Sequence, residues 1–133
     1  MQNADIFWLT LTILMTSLFW VPYIINRLIE LSPLNALMYR EVDPKPNASW
    51  ANRMAHAHKN AVENIVIYAP LVLIIIHLGI TSESTALAGM IYFFARAAHY
   101  IVYTLGIPFM RTITFSIAFC CQLFLSITIL GAL

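Results

Sequence analysis

Charged residues are scarce in this chain of 133 residues. It contains seven Lys and Arg and six Asp and Glu, together 10% of the sequence, whereas soluble globular domains carry about a quarter. So few charges cannot cover a surface that faces water, and the same scarcity excludes a disordered chain and a coiled coil with charged flanks. Apolar residues make up 61% of the chain. The composition therefore predicts an integral membrane protein.

Patterns typical of disulfides, metals and nucleic acids are also missing. The two cysteines, Cys120 and Cys121, are adjacent, which excludes a disulfide framework and a nucleophilic Cys–His pair. His56 and His58 are two residues apart and would point to nearly opposite faces of a helix. Because no His-x-x-x-His or Glu-x-x-His pair occurs, no metal site is expected. Glycine-rich phosphate loops and basic patches for nucleic acid are absent as well.

What the sequence does contain is long uncharged runs. A transmembrane helix needs about 20 mostly apolar residues, and continuous rather than alternating hydrophobicity favours helices over a β-barrel. We expect one all-α membrane domain over residues 1–133, a four-helix bundle with a polar loop at 34–50. Pro22 and Pro70 fall inside the first two spans, where each can kink the helix. The predicted spans are 5–31, 53–79, 84–106 and 109–132.

The charges separate onto one side of the membrane once the four spans alternate. All seven basic residues fall on the side of the 34–50 loop and of the turn between the last two spans, while the other side holds Asp5 and Glu83. By the positive-inside rule the basic side is cytoplasmic and both termini lie outside. In an organelle membrane the basic side would likewise face the cytosol. We interpret Arg40 and Lys45 as solvated loop charges that contact anionic lipid.

Several polar residues lie inside the spans, where each needs a partner or a function. At about 100° per residue, five residues of the second span share one sector about a quarter-turn wide. Four residues of the third span form a second stripe, two end the first span, and one opens the fourth. Together they would form a polar pocket in the cytoplasmic half with more cations than acids. These residues are Arg53, His56, Asn60, Glu63 and Asn64, then Tyr92, Arg96, His99 and Tyr103, then Arg27 and Glu30, and finally Arg111.

A structural interpretation of these residues stays open. Glu63 could pair with Arg96 or Arg53, and Asn60 could tie helices together by hydrogen bonds. Arg27, near a helix end, could extend to lipid headgroups, which is the favoured interpretation of that residue alone. As a set, five or six convergent polar residues exceed what the packing of four helices requires. The set therefore favours a binding pocket.

Two segments carry a resemblance to a known family. Residues 57–64 read AHKNAVEN and match all but the first position of the signature Arg-Ala-His-x-Asn-x-x-Glu-Asn. The third span supplies Arg96, His99 and Tyr103, followed by the Gly106–Pro108 turn and Arg111, which match a second signature. With four spans and a long first loop, the chain resembles the MAPEG family, membrane-associated proteins in eicosanoid and glutathione metabolism. It is most similar to the short bacterial members that resemble microsomal glutathione transferases.

The resemblance implies a homotrimer in a bacterial inner membrane, with glutathione as co-substrate between subunits near the cytoplasmic side. It implies that Glu63 binds the glutathione α-amino group, that Asn60 binds its backbone, and that Arg111 stabilises its thiolate. A pocket with several arginines and one glutamate complements a tripeptide that carries two carboxylates and one ammonium. The other implied glutathione-binding residues are Arg27, Arg53, His56, Arg96, His99 and Tyr103.

The implied function is a glutathione transferase or peroxidase whose thiolate attacks lipophilic electrophiles or lipid hydroperoxides from the bilayer, without a metal. One departure from the family concerns His56, which stands where the signature has Arg; that Arg grips a glutathione carboxylate. His56 would be a weaker, pH-dependent substitute, and Arg53, one turn earlier, could compensate.

Three other functions stay open. The same pocket would serve a non-catalytic membrane protein that binds an anionic thiol or lipid. A small transporter would use Glu63 as its titrating residue, but the basic groups crowd one side and do not form a relay across the bilayer. A purely structural role predicts that Asn60 and Glu63 tolerate replacement together.

Overall fold

The computed structural model describes residues 2–38 and 45–133. Arg40, predicted to be a solvated loop charge, lies outside the described residues, whereas Lys45 is exposed. Within the described ranges the chain is helical apart from short connections, and no strand occurs there. The helices are α1 (Gln2–Leu18), α2 (Val21–Leu31), α3 (Pro33–Met38), α4 (Ser49–His77), α5 (Glu83–Leu105) and α6 (Pro108–Leu130).

Four stretches are long and apolar enough to cross a membrane by length and composition. The first combines α1 and α2, and the other three are single helices. This confirms the prediction of an all-α membrane protein with four spanning helices. The four stretches are Asn3–Leu31, Ser49–His77, Glu83–Leu105 and Pro108–Leu130.

The first stretch is interrupted at Phe19 and Trp20, just before Pro22. Proline has no N–H to donate to the carbonyl four residues earlier, and its ring clashes with that carbonyl. At the same break the Phe19 carbonyl accepts a hydrogen bond from the Tyr100 hydroxyl of α5 at 2.8 Å, and the rings of these two residues stack with centroids 3.7 Å apart. Pro70, by contrast, lies inside an uninterrupted α4.

The last two spans form a tight antiparallel hairpin. Ser82 and Thr85 make a reciprocal capping box at the start of α5. Their side chains accept hydrogen bonds from two backbone N–H groups that have no carbonyl partner within the helix. At its other end α5 stops at Gly106, whose φ of 77° is left-handed, a conformation that glycine adopts without strain. Pro108 then begins α6, where its missing N–H costs nothing.

The core of the bundle is aromatic and closely packed. The rings of Tyr68 and Tyr92 stack between α4 and α5 with centroids 3.8 Å apart, and both residues are fully buried. Gly89 permits this packing, because a Cβ there would lie 3.1 Å from the Tyr68 hydroxyl and 3.2 Å from Trp8 Cβ. Many large apolar side chains on the outer helix faces are exposed in the single chain, as expected of surfaces that meet lipid.

The end of α2, the start of α4 and the α5–α6 turn meet at one end of the bundle, here called the basic end. The Glu30 carboxylate accepts hydrogen bonds from the backbone N–H groups of Asn47 and Ala48 at 3.1 Å each, and this fixes α2 to the beginning of α4. Arg53 Nε donates to the Thr104 carbonyl at 2.8 Å, and this fixes α4 to the end of α5. Most of the predicted site residues lie at or near this end.

Candidate functional site

Arg96 and Asn60 form the central polar contact of the site. Arg96 is only 2% exposed, and its Nη2 donates to Asn60 Oδ1 across the α4–α5 interface at 2.7 Å. Because a guanidinium has only donors, this bond directs the amide oxygen of Asn60 toward Arg96. The amide nitrogen of Asn60 is then the group that remains for another acceptor.

The same network extends to α6. Asn64 Nδ2 donates to the Asn60 carbonyl at 2.8 Å, and Gln122 Nε2 donates to the Asn64 carbonyl at 3.1 Å. Asn64 and Gln122 are both buried. Three helices are therefore joined by amide side chains, the role that the structural interpretation assigned to Asn60.

His99 anchors the first turn of α6 to α5. Its Nδ1 lies 3.1 Å from the Arg111 carbonyl oxygen and 3.2 Å from Thr114 Oγ1. The Thr114 hydroxyl donates to the Met110 carbonyl at 2.9 Å, so both neighbours of Nδ1 offer it a lone pair. The imidazole of His99 therefore uses its Nδ1–H inside the chain and holds the backbone of Arg111 in place.

Arg111 itself projects from the bundle. Its side chain is exposed, and its guanidinium carbon lies 4.8 Å from the centroid of the Tyr103 ring. The Tyr103 ring in turn meets His99 edge to face, with centroids 5.6 Å apart. A cation–π contact orients the guanidinium without using its N–H groups, so these donors remain for a ligand.

Glu63 lies on the rim of a groove between α4 and α6. The groove has a volume of about 370 Å³, and its lining combines the polar side chains of Asn60, Asn64 and Gln122 with apolar residues such as Phe115. Glu63 is exposed there. The groove thus brings Glu63 and the Asn60 amide to one surface. On α6 this groove begins at Phe115, one helical turn after Arg111.

The remaining predicted residues are placed differently. Arg53 donates to a carbonyl at the end of α5, where a cation stabilises a helix C-terminus. His56 is exposed on α4, and Arg27 is half-buried on α2. Among the described residues neither Arg53 nor Arg96 forms an ion pair with Glu63, since their bonds go to Thr104 and Asn60.

A larger groove runs along the outer face of α5 and α6. Its volume is about 630 Å³, and its walls are mostly apolar side chains such as Leu87, Ile91 and Ile117. On α6 it extends from Thr112 to Phe124, a length of roughly 18 Å at 1.5 Å per residue. One end of this apolar groove is Thr112, the residue that directly follows Arg111 in α6.

No group of three or more His, Cys, Asp or Glu side chains in the described ranges could hold a metal ion. The donors at the site are guanidinium, amide, imidazole and phenol groups with one exposed carboxylate. This donor set suits an anionic organic ligand that also carries an ammonium group.

The fold and the site define a helical membrane protein whose polar side chains join α4, α5 and α6, with the Arg111 guanidinium exposed at the start of α6. The family model described as MAPEG family matches residues 6–131, and the chain belongs to this family. No curated protein and no solved structure matches the chain. Membership confirms the resemblance and supports, in general terms, a membrane role related to glutathione or eicosanoid metabolism.

Sequence reasoning missed two residues that shape the site. Gln122 joins α6 to α4, and its position as a polar residue within an apolar span was a usable signal. Thr114 accepts a hydrogen bond from His99, but threonine occurs along apolar helices for many reasons, so its sequence position gave no comparable signal.

Proposed function

We propose that this protein is a membrane glutathione transferase or peroxidase. It activates the glutathione thiol for attack on a lipophilic electrophile or lipid hydroperoxide. The observation that supports this proposal is the groove lined by Glu63 and Asn60. It begins one turn of α6 after Arg111, whose guanidinium carbon lies 4.8 Å from the centroid of the Tyr103 ring and keeps its N–H groups for a ligand. These groups complement the ammonium, the peptide and the thiolate of one tripeptide.

Each charged group has a defined task in this mechanism. Glu63 pairs with the α-ammonium of glutathione, and Asn60 Nδ2 donates to a peptide carbonyl. Arg111 lies beside the sulfur. A free thiol has a pKa of about 8.5, and only the thiolate is a good nucleophile. A guanidinium next to the sulfur favours the ionised form, so Arg111 is the proposed catalytic residue.

The proposed glutathione-binding residues fall into three groups. His56, Asn60, Glu63 and Tyr103 reach the surface or the groove, whereas Arg96 and His99 are 2% exposed and support them from inside. Two further residues lie at the basic end, where they would meet the glutathione carboxylates. These are Arg27 and Arg53.

The proposal includes a homotrimer. In a single chain the groove beside Glu63 exposes a carboxylate and several amides at a surface that would otherwise face hydrocarbon, where polar groups are costly. Helix α2 also has no buried residue in the single chain. A neighbouring copy that covers these surfaces would close the site between subunits.

The remaining parts of the proposal concern the membrane. We place a single membrane domain, residues 1–133, in a bacterial inner membrane with the basic end and the 34–50 loop in the cytoplasm and both termini outside. The apolar groove that begins at Thr112 would hold the lipophilic substrate, which enters from the bilayer.

Calorimetric titration of glutathione into the detergent-purified protein tests the binding step. We expect saturable binding by the wild type and loss of binding in Glu63→Gln. Glu83→Gln is the control and should bind like the wild type, because Glu83 is an exposed acid at the start of α5, away from the basic end. Equal affinity in Glu63→Gln and wild type would remove Glu63 from the site. No binding by the wild type at millimolar glutathione would refute glutathione as the ligand.

Turnover with a panel of electrophiles and hydroperoxides tests the chemistry. Arg111→Ala should bind glutathione and lose turnover, whereas Lys45→Ala, which removes an exposed basic side chain outside the proposed site, should keep it. Unchanged turnover in Arg111→Ala would remove Arg111 from the mechanism. Saturable glutathione binding by the wild type without turnover of any substrate would instead identify a non-catalytic binding protein.

A further inference from the structure

Three polar atoms on α5 are buried without a hydrogen-bond partner in the described part of the chain. They are Nε and Nη1 of Arg96 and Nε2 of His99. The two residues are one helical turn apart on the same face of α5. Buried polar atoms without partners are rare in native proteins, and each one points to a bound water or ion. Because side chains three residues apart are neighbours on a helix surface, one small molecule can reach both residues.

The hydrogen-bonding roles of these atoms are complementary. A guanidinium has only donors, so both free nitrogens of Arg96 need an acceptor. Nδ1 of His99 faces two acceptors, the Arg111 carbonyl and the Thr114 hydroxyl, and therefore carries the ring proton. In the neutral ring Nε2 is then an acceptor that needs a donor. The occupant must both accept and donate.

We infer that one buried water molecule bridges Arg96 and His99, and that Arg96 is a positioning residue for both halves of the proposed site. The water accepts from the guanidinium and donates to Nε2 of His99. A bare anion matches the guanidinium but has no proton for Nε2. Buried waters with about three hydrogen bonds to such groups are a regular part of protein interiors.

The water makes Arg96 the branch point of the network. Through Nη2 it fixes the Asn60 amide at 2.7 Å. Through the water and His99, whose Nδ1 lies 3.1 Å from the Arg111 carbonyl, it fixes the first turn of α6. Arg96 then acts on the ligand through Asn60 and Arg111. The effect of Arg96 on glutathione binding and turnover rests on the proposed function, whereas the bridging water does not.

An experimental structure at a resolution that shows ordered waters tests the bridge directly. We expect a density peak within hydrogen-bond distance of an Arg96 nitrogen and of His99 Nε2. Two well-ordered side chains with no peak between them would refute the bridge. Anomalous scattering after a bromide soak separates the two kinds of occupant, because bromide at this position would show an anion site instead.

Histidine variants test the roles of the two ring nitrogens. His99→Asn places a donor near the Nδ1 position and removes the Nε2 acceptor, so it should lose the water peak. His99→Gln reaches the Nε2 position and offers an acceptor there, so it should keep the peak. Nuclear magnetic resonance of ¹⁵N-histidine-labelled protein should show His99 protonated on Nδ1 only; a proton on Nε2 would refute the assignment.

Kinetics test Arg96 as a positioning residue. Loss of one hydrogen bond between neutral groups corresponds to an effect of up to about tenfold. Asn60→Ala should raise KM for glutathione by roughly this factor and His99→Asn should lower kcat by roughly this factor, whereas Arg96→Met should do both. If Arg96→Met only reproduces Asn60→Ala, the connection to Arg111 is refuted. Arg96→Lys, which keeps the charge, and thermal melting of every variant identify effects on folding.

Discussion

Replacing Asn60 with Ala removes the one protein acceptor that the described residues offer to the Arg96 guanidinium. The Nη2–Oδ1 distance of 2.7 Å is that of a charge-assisted hydrogen bond, and Arg96 is 2% exposed among apolar helices. Hydrogen bonds to charged groups contribute about 1.5–3 kcal/mol, and a buried charged donor left unpaired costs more. The hydrogen bond that Asn64 makes to the backbone of residue 60 survives the substitution. We expect a loss of about 3 kcal/mol in the free energy of unfolding.

Thermal melting of the detergent-purified protein, followed by circular dichroism, measures this loss. For a domain of this size 1 kcal/mol corresponds to a change of about 4 °C in Tm, so Asn60→Ala should melt roughly 12 °C below the wild type. Asn52→Ala is the matched control, because Asn52 lies on the same helix, is half-buried and, among the described residues, hydrogen-bonds through its backbone and not its side chain. That variant should change stability by less than about 0.5 kcal/mol.

Asn60→Asp tests whether stability depends on the hydrogen bond that Asn60 accepts from Arg96 or on the amide group as such. The carboxylate can accept the same bond and also supplies a counter-charge to Arg96, so this variant should melt well above Asn60→Ala. The reasoning is refuted if Asn60→Ala and Asn52→Ala have the same Tm, because other groups would then accept hydrogen bonds from Arg96. It is also refuted if Asn60→Asp melts as low as Asn60→Ala.

Three further substitutions test other parts of the fold by the same melting assay. Gly89→Ala places a methyl group 3.1 Å from the Tyr68 hydroxyl and should cost about 1–3 kcal/mol; unchanged melting would show that α5 is not tightly packed there. Gly106→Ala forces a φ of 77° on a residue with a Cβ and should cost about 1–2 kcal/mol, whereas Gly131→Ala, at φ −73°, should cost nothing. Glu30→Gln weakens the hydrogen bonds to the backbone N–H groups of Asn47 and Ala48 and should lower Tm slightly; an unchanged Tm would show that these bonds do not stabilise the junction of α2 with the start of α4.

The spanning helices could be predicted from sequence because hydrophobic length is a local property of the chain. The pairing of Asn60 with Arg96 could not, because these residues are 36 positions apart. Helical periodicity gives the face on which each residue lies, but not the rotation or register of the helix that it meets. The same limit explains the alternative pairing of Glu63 with Arg96, which is not found in the structure.

The burial of individual residues could not be predicted from the helix face that they share either. The polar sector of α4 crosses the boundary of the bundle, so that Asn64 is buried while Glu63 is exposed. The second stripe divides in the same way, with His99 buried and Tyr103 half-buried. Residues that share a helix face can therefore have different tasks, and only the positions of the neighbouring helices decide which task each one has.

This division has a consequence for the assembly of the site. Arg96 and His99 direct hydrogen bonds to groups within the chain, so they set geometry. Glu63 lies midway along α4 on the outer surface, where an uncovered charge in hydrocarbon costs about 2.5–3.5 kcal/mol or more. In the proposed assembly a neighbouring chain would exclude lipid from that surface, and the ammonium group of the proposed ligand would neutralise the carboxylate. Assembly and ligand binding would then be coupled, because both remove the cost of the same exposed side chain.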